Sequence, residues 1–267
     1  MEKTYFADLT YRDVERILAS ERTPVLLFPV GATEPHGPHG PLATDVIISI
    51  GMCERACRLL TDDSEIRGLI LPPLSFGVTR YSRAFPGPIH VSESTLSAMI
   101  VDVCESLHGQ GLPYVILVNN HFEPEHVQTL HRALDELTDR HGPTYGYLDL
   151  TRKSRAVRLT NEFRRGECHA GRYETSLVLA DRPEVVDREA MAALPDVPVS
   201  LPEVMMQGGK EFRAMGLVDA YCGAPAEATA EEGEESFAIL AEMLVDSMRD
   251  LARGVGGRDM LGLFGRM

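Results

Sequence analysis

The chain has 267 residues, 44% of them hydrophobic, and a net charge of -14. That length suits one large domain or two small ones with a sizeable core. The acidic balance argues against a general nucleic-acid or anionic-membrane surface, and no apolar run approaches the roughly 20 residues a membrane helix needs.

The opening residues, Met1-Glu2-Lys3-Thr4-Tyr5, lack the charged-then-apolar layout of a secretory signal. Five cysteines (Cys53, Cys57, Cys104, Cys168 and Cys222) form no pattern of tight pairs beyond Cys53 and Cys57. Those two are four apart in a helical pattern and read as small buried residues. The expectation is a reduced, cytoplasmic protein.

Residues 5–19 read as a leading helix capped by Thr10, and 24–30 as a buried strand. Residues 45–60 read as a helix with Val46, Ile50, Cys53, Cys57 and Leu60 on one face. A short strand follows at 69–71. The segment 76–87 has no clear period and ends in a turn signal; loops of that length often carry function. Residues 94–108 read as a helix, 114–118 as a second buried strand and 124–140 as a helix. A third strand of the same type is expected at 148–150. An apolar helical run covers 177–180, a surface excursion 195–215, and a final amphipathic helix 226–253. Strands alternating with helices imply an α/β fold, with helices on both faces of a mainly parallel sheet. No repeat or linker divides the chain, so one domain, 1–267, is expected.

In such sheets ligands bind beyond the carboxyl ends of the strands. The first strand runs into Glu34-Pro35-His36-Gly37-Pro38-His39, with Asp45 following at a helix start. The second runs into Asn119-Asn120-His121-Phe122-Glu123. Each loop offers one His and one carboxylate two residues apart, and the loops meet if their strands are neighbours. Two His and three carboxylates are too oxygen-rich for a structural zinc site. They suit two divalent ions bridged by a carboxylate, for which Asp45 is the natural candidate. A lone loop His is usually a surface residue; two matched pairs plus an Asp outweigh that. His39 is expected to pack or hydrogen-bond behind the ligands, His126 and His131 to be solvated, and His90, His108 and His141 have no assigned partner. His169, before Ala170-Gly171, suits either proton transfer or a buried capping role. Cys168 beside it lacks the partners of a nucleophile.

These loops resemble the creatininase family of metal-dependent amidohydrolases. Glu34, His36, Gly37, His39 and Asp45 match its Glu-x-His-Gly-x-His…Asp signature. Asn119, His121 and Glu123 match Asn-x-His-x-Glu. His169, Gly171, Glu174, Thr175 and Ser176 match His-x-Gly-x-x-Glu-Thr-Ser. Phe85-Pro86-Gly87 with Ile89, and Gly223-Ala224-Pro225 with Ala228-Thr229 and Gly233, resemble two further family patterns. The resemblance implies a three-layer α/β/α sandwich, often hexameric, with two divalent ions per chain (Zn, Mn or Fe). It implies Glu34, His36, Asp45, His121 and Glu123 as ligands, with Glu123 and His169 catalytic.

Departures bear on the substrate. The chain has no Trp, whereas creatinine-hydrolysing members place Trp around the pocket. Thr79-Arg80-Tyr81-Ser82 stands where they carry Ser-Pro-Glu-His, and Phe122 where they carry Tyr. Creatinine itself is therefore not the expected substrate. Thr79, Arg80, Tyr81, Phe122 and Glu174 are candidates for substrate contact. Arg80 and Arg83 either grip a substrate carboxylate or phosphate or are solvated. The expectation is hydrolysis of a C–N bond (amide, cyclic amide or formamide) in a small polar molecule. The alternatives are a cyclic ketone or lactone hydrolase with the same ions, and a non-catalytic metal or metabolite binder.

Overall fold

A computed structural model describes residues 2–254. In chain order the elements are α1 (Tyr11–Leu18), β1 (Thr23–Val30), α2 (Thr44–Leu59), β2 (Ile66–Ile70), α3 (Glu93–His108), β3 (Val115–Asn119), α4 (Pro124–His141) and β4 (Tyr145–Tyr147). The short helices α5 (Lys153–Ala156) and α6 (Asn161–Arg165) follow. Then come α7 (Arg172–Asp181), α8 (Arg188–Ala192), α9 (Leu201–Met206) and the long α10 (Ala230–Ala252).

The four strands form one parallel sheet in the order β2-β1-β3-β4. Leu26 pairs with Leu69 on one side and Val115 on the other, and Val115 with Tyr145. Crossovers through helices are what parallel neighbours require. Side chains alternate across the sheet, and both faces are apolar. Val25, Leu27, Ile116 and Val118 pack into a core shared with α2, α7 and α10. Leu26, Phe28, Val30, Val115 and Leu117 pack into a second core under α3 and α4. Helices on both faces of the sheet make the expected three-layer sandwich. Among the described residues, no helix is long and apolar enough to cross a membrane.

Several boundaries differ from the sequence expectation, each for a local reason. The leading helix starts only at Tyr11, because Thr10 and Asp13 form a reciprocal capping box. The strand expected at 148–150 lies three residues earlier, at Tyr145–Tyr147. There two tyrosines, good strand formers, fill the ladder. Leu148 and Leu150 are buried past its end. The final helix begins at Ala230, since Pro225 opens a 3-10 turn and Thr229 then caps the helix. Residues 195–215 are not merely a surface excursion. Leu201, Phe212 and Met215 are buried with Tyr81, Leu217 and Cys222 in a third, smaller core, which lies beside the carboxyl end of the sheet.

Candidate metal centre

The site is built where β1 and β3 end. Gly31 follows β1; a Cβ there would stand 2.8 Å from the Asp45 Cβ, so glycine is what lets the first turn of α2 approach the strand. Asp45 accepts a hydrogen bond from the Ala32 N–H at 3.1 Å. Its two oxygens then part. Oδ1 lies 3.1 Å from His36 Nε2, and Oδ2 lies 3.3 Å from His121 Nδ1. Glu34 Oε1 is 3.1 Å from His121 Nδ1, and Glu174 Oε2, from α7, is 3.6 Å from His36 Nε2. All five side chains are buried.

Three imidazoles share one design. His36 Nδ1 hydrogen-bonds the Glu34 carbonyl at 3.0 Å. His121 Nε2 hydrogen-bonds the Val78 carbonyl at 2.8 Å. His169 Nε2 hydrogen-bonds the Pro35 carbonyl at 3.0 Å. A carbonyl can only accept, so each ring keeps its other nitrogen for the cluster, the usual anchoring of metal-binding His. The His169 ring lies between His36 and Phe212, with centroids 4.5 Å from each. Its Nδ1 is 3.9 Å from Glu34 Oε1.

Three groups of donor atoms result, each within 4.8 Å: Glu34–Asp45–His121, His36–Asp45–Glu174 and Glu34–His36–His169. Asp45 belongs to the first two. Oxygen-rich donors with imidazole suit divalent metals such as Zn or Mn, so the residues fit a metal of that kind.

The other site candidates fall into place around this cluster. Glu123 is in none of the three groups. Its carboxylate accepts the backbone N–H groups of Arg80 (2.8 Å) and Tyr81 (3.1 Å). Burial raises it to about 7, against the lowering effect of His121 and those N–H groups. Glu174, a candidate for substrate contact, lies in the cluster, steered by Asn120 Nδ2 (2.8 Å) and the Ala170 N–H (2.7 Å). Ala170 adopts φ 53°, a left-handed conformation costly for a non-glycine residue. Thr79 donates to Glu34 Oε2 and lies 2.7 Å from Ser82 Oγ. The Arg80 guanidinium is held by Glu93 through two bonds of 2.8 and 2.7 Å, and Arg83 is exposed. Tyr81 is buried edge-on to Phe212. Phe122, half-buried, meets Phe163 edge-on.

Among the remaining histidines, His39 hydrogen-bonds Thr175 Oγ1 at 2.8 Å through Nε2. His126, expected in solvent, is fully buried, and His131 is half-buried against Asp149 at 3.1 Å. Both sit on the inner side of α4. His90 Nδ1 accepts the Thr79 N–H, and His108 stacks on His141, which bonds Glu105. Burial pushes the Cys168 thiol well up, which disfavours a nucleophilic thiolate.

Glu162 escaped the sequence reading. Its buried carboxylate accepts the N–H groups of Arg172, Tyr173 and Ala224 at 3.0, 2.6 and 2.8 Å. It thereby caps α7, which carries Glu174. Gly223, at φ 84°, leaves room for it: a Cβ there would lie 2.1 Å from Glu162 Oε1. The preceding Thr160, a helix cap, is the only local signal.

Protonation follows from this crowding. Burial alone would lower His36, but Asp45, Glu174 and Glu34 outweigh it and raise it to about 9. His121 is also raised well above its ordinary value by Glu34 and Asp45, despite burial. Burial raises Glu174 to about 8. Without metal, His36 therefore keeps its proton at pH 7, and a cation must displace it. The protonated ring stabilises the fold fully below about 6.5, and that contribution is lost as pH rises through about 9. Metal affinity runs the opposite way. It should climb with pH, by up to about tenfold per pH unit for each proton displaced. Competition with a chromophoric chelator at pH 6, 7 and 8 checks this; an affinity independent of pH would contradict it.

The molecule is thus an α/β sandwich with a buried donor cluster of metal-binding type at the carboxyl end of its sheet. A profile of the creatininase family, described as creatinine amidohydrolase, matches residues 7–248. The chain belongs to the creatininase family, whose members are metal-dependent amidohydrolases. It is 28% identical over 241 residues to the mycofactocin precursor peptide peptidase of Mycobacterium ulcerans, covering 88% of each chain. It is 26% identical to the creatinine amidohydrolase of Pseudomonas putida, covering 94% of this chain and 98% of that one. A solved creatinine amidohydrolase (creatininase) superposes with a TM-score of 0.68 at 25% identity, over 93% of this chain and 97% of that one. Two creatininase structures at 23% identity, a Zn-Zn mutant and a Mn form, have TM-scores of 0.70 and 0.68, over 93% of this chain and 98% of theirs.

Proposed function

We propose that this chain hydrolyses a C–N bond, in an amide, cyclic amide, formamide or short peptide, at a centre that takes two divalent ions, Zn, Mn or Fe. The observation that carries this is Asp45, whose two carboxylate oxygens face two separate donor groups. Glu34, Asp45 and His121 would hold one ion, and His36, Asp45 and Glu174 the other. This replaces Glu123 by Glu174 in the ligand set. When bound, such ions polarise a carbonyl and lower the pKa of water towards about 7.

The chain's own groups then manage protons. Glu123, raised to about 7, is suited to take a proton from the attacking water and release it near neutrality. His169 Nε2–H donates to the Pro35 carbonyl, which leaves Nδ1 as a free acceptor. Burial, with His36 beside it, lowers the ring to about 4, so it rests neutral and would take up a proton at Nδ1 only in passing, handing it on to the departing amine. Phe122, Thr79 and Tyr81 remain the candidates for substrate contact, while Arg80 is engaged by Glu93. The same reading includes a small-molecule substrate, a homo-oligomer and a cytoplasmic setting.

The mycobacterial relative's name, a peptide peptidase, supports amide chemistry. Screening formamides, cyclic amides and short peptides for release of amine, ammonia or formate tests it. Products of carbon–carbon or ester cleavage alone would instead favour a ketone or lactone hydrolase. Replacing His169 by Ala should lower kcat by about 100-fold or more and leave metal content unchanged. Parallel loss of metal would assign His169 to the centre itself.

A further inference from the structure

His126 lies on α4, outside the cluster, and is fully buried. Both its ring nitrogens are engaged. Nδ1 accepts the Val78 N–H at 3.2 Å, so Nε2 carries the hydrogen and donates to Asn119 Oδ1 at 3.1 Å. The same two partners hold His121. Val78 offers its carbonyl to His121 Nε2 at 2.8 Å. Asn119 Oδ1 accepts the His121 N–H at 3.2 Å, and Asn119 Nδ2 donates to the His121 carbonyl at 2.6 Å. The two imidazoles meet edge-on, with centroids 4.7 Å apart. A closed ring of hydrogen bonds therefore joins the end of β3, the loop at Val78 and α4. Gly77 admits it: a Cβ there would stand 2.8 Å from both the His126 ring and the Gly31 carbonyl.

We infer that His126 is a positioning residue for His121, and so sets metal affinity at the Glu34–Asp45–His121 half of the centre alone. Its removal leaves the Val78 N–H buried without this acceptor and takes from Asn119 Oδ1 one of its two donors. A buried unpaired donor is costly, which favours a shift of the Val78 peptide. The Val78 carbonyl that orients His121 moves with it. The His36–Asp45–Glu174 half is anchored by the Glu34 carbonyl, Asn120 and Ala170, none of which touches His126. Partners of this kind behind a ligand are worth about 10- to 100-fold in metal affinity.

The inference rests on the metal-centre reading, and one experiment separates the two. Metal-free wild type, His126→Phe, His126→Gln and Leu130→Ala are titrated with Zn2+ against a competing chelator. Leu130 is buried on the same helix and serves as the packing control. Wild type should take two ions. His126→Phe should bind one as tightly as wild type and the other about 10- to 100-fold more weakly. His126→Gln, whose amide can accept from Val78 and donate to Asn119, should recover most of that loss. Leu130→Ala should melt earlier yet keep both affinities. Should the Phe variant not fold, His126→Asn, whose shorter amide reaches one partner at most, carries the same expectation. Unchanged affinities in His126→Phe (or in His126→Asn where the Phe variant does not fold), or an equal loss in Leu130→Ala, would overturn the inference while leaving the centre intact. Wild type that binds no Zn2+ would overturn both.

Discussion

Asp45→Ala should bind neither ion. Each half of the centre loses its shared ligand, so activity should fall beyond the roughly 100-fold that residues behind a ligand control. Asp45 is also held well below the usual carboxylate range: burial opposes this, but His36 and His121 prevail. The negative charge that a cation needs is therefore present at every working pH. The Ala variant also orphans the Ala32 N–H, which costs about 1–3 kcal/mol in a buried place. Asp45→Asn separates the two effects, because an amide oxygen can still accept that N–H while the charge is gone. Both variants should lose metal in a Zn2+ titration, and only the Ala variant should lose much stability. An Asp45→Ala protein with full metal content and activity would refute the bridging assignment.

Gly233→Ala should be strongly destabilising. Gly233 lies in α10 where it crosses α7, and an added Cβ would stand 2.0 Å from the Ser176 carbonyl oxygen. The obstacle is backbone, so no side chain can turn away and the helices must separate. Overpacking typically costs about 1–3 kcal/mol, occasionally more, and this contact belongs at the upper end. For a chain of this length that is about 6–12 °C in melting temperature. Because α7 carries Glu174, metal affinity should fall with it. Gly109 is the control: it sits at φ -62°, with its nearest contact at 3.5 Å. Gly109→Ala should change stability by less than about 0.5 kcal/mol. A Gly233→Ala protein that melts with wild type would show that the α7–α10 contact is looser than described.

How far the site was legible depends on how local its geometry is. That Glu34, His36, Asp45 and His121 come together could be read because the loops that carry them follow or lead into elements whose apolar runs are unambiguous. That β1 and β3 are neighbours then brings the two loops together. Glu174 was visible as a motif residue, but its place in the cluster depends on how α7 docks, and no spacing encodes that. Glu123 kept its motif position, yet the loop at Arg80 and Tyr81 turns its N–H groups onto the carboxylate. His126 was misread as solvated although a signal existed. It shares the spacing of Leu130, Ala133 and Leu137, all buried on the inner face of α4. Hydropathy alone sends a His outward; the periodicity sent it in. Phe212, which lies against His169, follows from neither, because residues 195–215 have no period. The fold was more legible than the site, since two-sided apolar strands alternating with helices admit few arrangements.

The central claim is a two-ion centre sharing Asp45, and elemental analysis of the purified protein, without added metal, tests it most directly. Glu34→Ala and His121→Ala should be measured alongside. About two Zn, Mn or Fe per chain, with clear loss in both variants, is the predicted result. Metal far below one ion per chain that reconstitution cannot raise would contradict the account, and the fold would then be better read as a metabolite-binding scaffold.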